Sequence, residues 1–258
     1  MLWTASGIKG YAIVATDGHI GSVSDFLFDD QTWQVRWLVV DTGNWFPGQK
    51  VLLPPLALGH PDAGKDEFPV RLTKQKIQDS PDLLSDRPVS RQDETAIYGY
   101  YGWRPYWNTG FFMGGYGYVG DDWVGSDSPG SVQRERAFAN DRLEDGDPHL
   151  RSAEAVTGSH IHATDGEIVH VEDLLLDDTD WSIRYFAVDT RNWWPGKHVL
   201  ISPGSAGTID WPNRLVNLNV NRRTVEGSPE YDGATTVDQA YEQRFHEYYR
   251  GARAKGLY

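Results

Sequence analysis

Apolar residues between positions 11 and 53 come in short runs separated by turn-formers, a pattern that predicts strands rather than helices. Tyr11 to Ala15 ends in Thr16-Asp17-Gly18, and Asp-Gly between two strand-like runs predicts a hairpin because glycine readily takes positive φ. A second strand is expected from Ile20 to Phe28, a polar turn at Asp29-Asp30-Gln31-Thr32, and a third strand from Trp33 to Asp41, rich in Val, Trp and Leu. Val51 to Pro54 and Phe68 to Leu72 read as a fourth and fifth strand, joined by an irregular stretch containing Pro54-Pro55 and Gly59 to Lys65. Thr73 is placed to cap a single helical turn over Lys74 to Asp79 that Pro81 stops.

The pattern then returns. Adding 148 to each number carries Ala15-Thr-Asp-Gly onto Ala163-Thr-Asp-Gly, Trp33 onto Trp181, Arg36 onto Arg184 and Tyr100-Tyr101 onto Tyr248-Tyr249, with no gap. About half of the positions from Gly10 to Pro55 are identical to their partners. A repeat this long, present twice, predicts two whole small domains from a tandem duplication, not a solenoid of stacked units. The expected division is 1–101 for the first domain and its trailing helix, 102–154 for a connector, and 155–258 for the second domain and helix. The trailing helices are amphipathic: Val237, Tyr241, Phe245 and Tyr248 share one face, and Val89, Ile97 and Tyr100 repeat the pattern with Asp93 interrupting it. The connector is rich in Gly, Tyr and Trp as far as Ser131 and then becomes charged.

Register can be read from the turn. An even loop pairs Phe28 with Trp33, which sets Asp25 opposite Arg36 and, in the second copy, Asp173 opposite Arg184. Opposed charges on neighbouring strands form a favourable pair, so these four residues are expected to be structural ion pairs that hold the register. On this register Val23, Leu27, Leu38 and Val40 face one way, and Phe26, Phe28, Val35, Trp37 and Val39 face the other. A small sheet needs only one apolar face, so the outer one must be covered by the other copy, a trailing helix or another subunit. Contact between the two domains follows, and homo-oligomerisation is expected with it.

Charge and composition narrow the function. The formal net charge is −13, which argues against nucleic acid and anionic membrane surfaces as partners. There are no cysteines, which excludes disulfides, thiol nucleophiles and cysteine-ligated metals. No apolar run is long enough for a membrane span and the N-terminal residues lack a signal-peptide pattern, so the expected compartment is the cytoplasm.

The most distinctive residues are Trp45 and Phe46, with their counterparts Trp193 and Trp194, each in an Asn-Trp-aromatic-Pro-Gly loop. Tryptophan beside turn-formers makes a good interface anchor, and these four form the candidate interface; the competing reading packs each Trp over its own domain. Asp29-Asp30 and Asp177-Asp178 read as turn residues, since a solvated hairpin tip provides neither a fixed carboxylate pair nor a low-dielectric pocket. Asp41 and Asp189 are placed to bond the backbone of the loops that follow them. His160 and His162 share a strand face but lack a third ligand, so no metal site is assigned. No catalytic triad, P-loop or dinucleotide fingerprint is present, and neither a catalytic residue nor a cofactor is expected.

The run Ile20-Gly-Ser-Val-Ser-Asp-Phe-Leu-Phe-Asp29 with Val35-Arg-Trp-Leu-Val-Val-Asp41, and its second version at 168–177 and 183–189, resembles the PRC-barrel family, named for the photosynthetic reaction centre. The resemblance covers roughly residues 7–81 and 155–229. It implies an all-β fold of two small PRC-type β-barrels with short flanking helices, similar to the cytoplasmic part of the reaction-centre H subunit and to the C-terminal domain of a bacterial ribosome-maturation factor. The Trp loop and the Tyr-Tyr helix resemble a subgroup of tandem PRC-barrel proteins of undefined role. The membrane helix of the first relative and the additional N-terminal domain of the second are not found here, so neither function transfers with the fold. The resulting expectation is a non-catalytic interaction or assembly module with a protein partner; the alternative is a hydrolase with an Asp/His site in the cleft between barrels.

Overall fold

The computed structural model describes residues 1–43, 50–81, 91–103, 147–190, 198–232 and 237–254. These residues are mostly strands, arranged in two sheets with few helices. In the first half β1 (Leu2–Thr4) and helix α1 (Ala5–Ile8) precede β2 (Ala12–Ala15), β3 (Gly18–Asp29), β4 (Val35–Asp41), β5 (Lys50–Leu53) and β6 (Glu67–Pro69). Helices α2 (Lys74–Gln78) and α3 (Arg91–Tyr101) follow. The second half runs β7 (Leu150–Ser152), α4 (Ala153–Val156), β8 (His160–Ala163), β9 (Gly166–Asp177), β10 (Ser182–Asp189), β11 (His198–Ile201), β12 (Ala206–Asp210) and β13 (Leu215–Leu218). It ends with α5 (Arg222–Glu226) and α6 (Gln239–Ala254). Residues 150–154, expected at the end of the connector, are thus the second half's counterpart of β1 and the start of α1.

The Asp-Gly turns form as expected, with Gly18 at φ 128° and Gly166 at φ 142°. Each turn carboxylate also caps the short helix after the last strand: Asp17 Oδ1 accepts from Lys74 N at 2.8 Å and Asp165 Oδ1 from Arg222 N at 2.7 Å. Thr73 caps α2 through Lys76 N, as its position predicts. The sheets run β5-β4-β3-β2-β6 and β11-β10-β9-β8-β13-β12. All neighbours are antiparallel except β2 with β6 and β8 with β13, which are parallel.

Two strands cross over between the halves. β3 is 12 residues long and β2 covers only its first part, which leaves the last residues of β3 with an open edge. β7 fills it, with Leu27 opposite Ser152 and Asp29 opposite Leu150. In return β1 pairs with the end of β9, Leu2 opposite Asp177 and Thr4 opposite Leu175. Each half thereby covers the exposed edge of the other, which removes a surface prone to uncontrolled pairing.

The expected register was two residues out. Trp33 and Trp181 lie at the end of the turn with φ 60° and 55°, so β4 begins at Val35 and Phe28 faces Val35. A bulge between the Leu27 and Phe28 pairings then sets Asp25 opposite Val39, and the second half places Asp173 opposite Ala187. Phe26 consequently shares a face with Leu38, and Leu27 with Trp37. The expectation that both faces are covered holds all the same: every residue of β4 from Val35 to Val40 is buried. One cover is a trailing helix. Tyr98 packs on Trp37 with ring centroids 5.2 Å apart, and Phe245 on Tyr185 at 5.0 Å. Each helix is tied to the short helix before it by its tyrosine pair, Tyr100 Oη donating to Lys76 O and Tyr248 Oη to Thr224 O. Val237 precedes α6, while Tyr241, Phe245 and Tyr249 supply its buried face.

The other cover is the opposite half. Trp181 stacks on Phe26 and on Phe68, at 6.2 and 5.3 Å, while Trp33 sits between Phe28 and Phe186, at 5.4 and 5.2 Å. Val35 N donates to Trp181 O and Ile183 N to Trp33 O, both at 2.8 Å.

Candidate functional site

The charged residues gather where the exchanged strands meet the hairpin tips. Neither expected ion pair forms. Asp25 accepts from Ser152 Oγ at 2.5 Å and from the backbone N–H groups of Phe26 and Glu154, whereas Asp173 accepts from Ser6 Oγ, Ser6 N and Leu174 N. Each aspartate caps the first short helix of the other half, so its partner lies more than a hundred residues away in sequence. Burial raises the pKa of both carboxyls despite these hydrogen bonds, which pull the other way.

Arg36 and Arg184 turn toward the hairpin tips, with different surroundings. Arg36 is buried and meets three carboxylates: Glu94 of α3 through Nε at 3.0 Å and Nη2 at 2.5 Å, Asp147 through Nη2 at 2.8 Å, and Asp29 through Nη1 at 3.3 Å. Trp37 Nε1 also donates to Glu94, at 2.7 Å. Glu94 is fully buried, and that desolvation raises its pKa although Arg36 and Trp37 oppose the shift. Arg184 is half-exposed and bonds Asp177 and Asp180 of its own turn. Its neighbour Tyr185 takes the role of Trp37, donating to Glu242 at 3.3 Å.

The second tip aspartates hold the exchanged strands. Asp30 binds His149 Nδ1 at 2.9 Å and Arg151 Nε at 3.0 Å, and Asp178 binds Trp3 Nε1 at 3.0 Å and His60 Nδ1 at 3.1 Å. Asp29 and Asp177 keep the turn function expected of them, each carboxylate accepting backbone N–H groups of its own loop. The sequence therefore identified the turn half of these pairs and missed the docking half, which depends on β1 and β7 arriving from elsewhere.

Beside Asp30 a cleft of about 440 Å³ lies between the β3–β4 tip, β7 and β12. Trp33, Ile209 and Trp211 form its apolar wall, and the Arg151 guanidinium lies 4.8 Å from the Trp211 ring. Among the described lining residues there is no hydroxyl or thiol. No group of three or more metal-ligating side chains occurs among the described residues; His160 bonds Glu167, and His162 lies opposite Glu167 in the β8–β9 register. Asp41 Oδ1 accepts from Gly43 N, as expected at the head of its loop. Trp45, Phe46, Trp193 and Trp194 lie outside the described residues. No helix among the described residues is long and apolar enough to cross a membrane.

Comparison with known proteins agrees with the fold. An uncharacterised protein of Deinococcus radiodurans is 32% identical over 84 residues, which is 31% of this chain and 30% of that protein. The chain thus matches less than a third of that relative's length. The strands β2 to β6 and helix α1 fall within the segment that a family model matches: residues 4–77 match the model of the PRC-barrel domain.

Proposed function

We propose that the protein is a non-catalytic interaction or assembly module built on two PRC-type barrels, acting on a protein partner in the cytoplasm. The observation that carries this reading is the use made of its charged residues. Asp25, Asp30, Asp173 and Asp178 are committed to joining one half to the other, and Arg36 with Glu94 to seating a helix. The cleft between the halves has a basic and aromatic wall and no hydroxyl or thiol among its described residues, so it offers no Ser-, Thr- or Cys-type nucleophile beside Asp30 and His149. The partner-binding residues in this reading are Trp45, Phe46, Trp193 and Trp194, whose apolar area suits them to anchor an interface.

The test is a crosslinking capture from native lysate with the wild-type chain and with a variant carrying alanine at all four loop positions. The reading requires specific partners that the folded variant loses by at least tenfold in recovery. Retention of the same partners by the variant removes the loops from the interface. Turnover of an ester or phosphoester that is abolished by Asp30→Asn would favour the hydrolase instead.

A further inference from the structure

The contacts that join the halves are made in both directions. β1 adds to β9 and β7 to β3, Ser6 bonds Asp173 and Ser152 bonds Asp25, and the Trp33 and Trp181 carbonyls each accept from the other half. All of them link residues on opposite sides of the stretch 104–146. None of them depends on which chain supplies the second half. A stretch of that length can reach roughly 140 to 155 Å when extended, so it places little restriction on where the second half comes from.

We infer that the surface joining the halves also accepts a second copy of this chain. The first half of one copy takes up β7, α4 and Trp181 of the other copy, the second half takes up the other copy's β1, α1 and Trp33, and the result is a closed, strand-exchanged dimer. No new surface is needed, because the dimer repeats twice the interface already present within one chain. Pairing of unlike halves is preferred to pairing of like ones, since the complementary partners differ: Trp181 lies against Phe26 and Phe68, and Trp33 against Phe186. Within one chain the two halves are joined covalently, so the monomer dominates in dilute solution. The exchanged form competes when chains fold together at high concentration. It then persists, since separation must undo both interfaces, each with two strand pairings and two inserted tryptophans, four of each in all. This inference stands apart from the partner reading above and does not rest on it.

The native chain carries its own reporter. Lys9 Nζ lies 3.0 Å from Glu154 Oε2 across the interface, and both side chains are exposed. A zero-length carbodiimide can therefore join them as an amide. Unlabelled and heavy-isotope chains, mixed in equal amounts while unfolded, are refolded together at high concentration, crosslinked, and separated into monomer and dimer fractions. In the dimer, about half of the Lys9–Glu154 linked peptides should combine one light and one heavy partner, as random pairing of exchanged copies requires. In the monomer all links should be of one label. A dimer whose links are all of one label overturns the inference, as does the absence of any dimer, and a monomer that yields no Lys9–Glu154 link contradicts the exchange itself.

Discussion

Arg36→Met and Arg184→Met change the same position of the repeat in two environments, so each serves as the control for the other. The Arg36 side chain is 2% exposed and its partner Glu94 0%, whereas the Arg184 side chain is 43% exposed. Removing Arg36 leaves Glu94 buried with only Trp37 Nε1 to satisfy it, and Asp29 and Asp147 lose the same cation. Stranding a buried charge costs about 3 to 5 kcal/mol, while losing a largely solvated pair costs about 0 to 1 kcal/mol. Urea unfolding of the two variants and the wild type, with the slope held common, reads the difference directly. The sign of the pH dependence follows from Glu94. Its folded pKa is raised by burial, so its contribution is fully present below its unfolded value and declines as pH rises through the folded one. Loss of Arg36 raises that pKa further, and the deficit of Arg36→Met should therefore widen from acid to neutral pH. Adding Glu94→Gln should recover part of the loss, because the amide still accepts from Trp37 without a charge. Equal costs for the two arginines, or an Arg36→Met deficit independent of pH, would refute the argument.

Three further outcomes are expected. Trp181→Ala removes a ring packed between Phe26 and Phe68 of the opposite half and should cost about 3 to 5 kcal/mol in the same urea assay, with loosening of the first half visible in hydrogen exchange. Tyr248→Phe should cost about 0.5 to 1.5 kcal/mol by deleting the bond to Thr224 O, and Gly227→Ala should disturb the same bond because a Cβ at 227 would collide with Tyr248 Oη. Carboxyl NMR titration should find Asp25 and Asp173 above the ordinary aspartate value of 3.8 and Asp177 below it, the last because bonds from Thr179 and Arg184 outweigh its desolvation. The first two then favour the fold most below pH 3.8 and lose that contribution as pH rises through their folded values; Asp177 contributes above it and loses its share as pH falls.

Local chemistry made much of this protein legible from its residues alone. Asp17-Gly18 with Asp165-Gly166 as turns and Thr73 as a helix cap depend on neighbours a few positions apart, and each appears in the structure where expected. Apolar residues on both faces of β4 also required a cover, and the cover is there. The register was not legible, because a tryptophan in the left-handed region at the turn and a bulge between the Leu27 and Phe28 pairings each move the pairing while leaving the hydrophobic pattern almost intact.

The partners of the charged residues lay further out of reach. Asp25 and Arg36 look like a cross-strand pair when only their own hairpin is considered, yet Asp25 bonds Ser152, and Arg36 bonds Glu94 and Asp147. The sequence by itself determined the strands and the turns, since these follow from short-range sterics and from where apolar side chains can hide. Only the tertiary structure decided that β1 and β7 change places and which carboxylate meets which donor. A three-residue strand carries too little pattern to announce its partner, and its place is set by the open edge that β3 or β9 leaves at the far end of the other half.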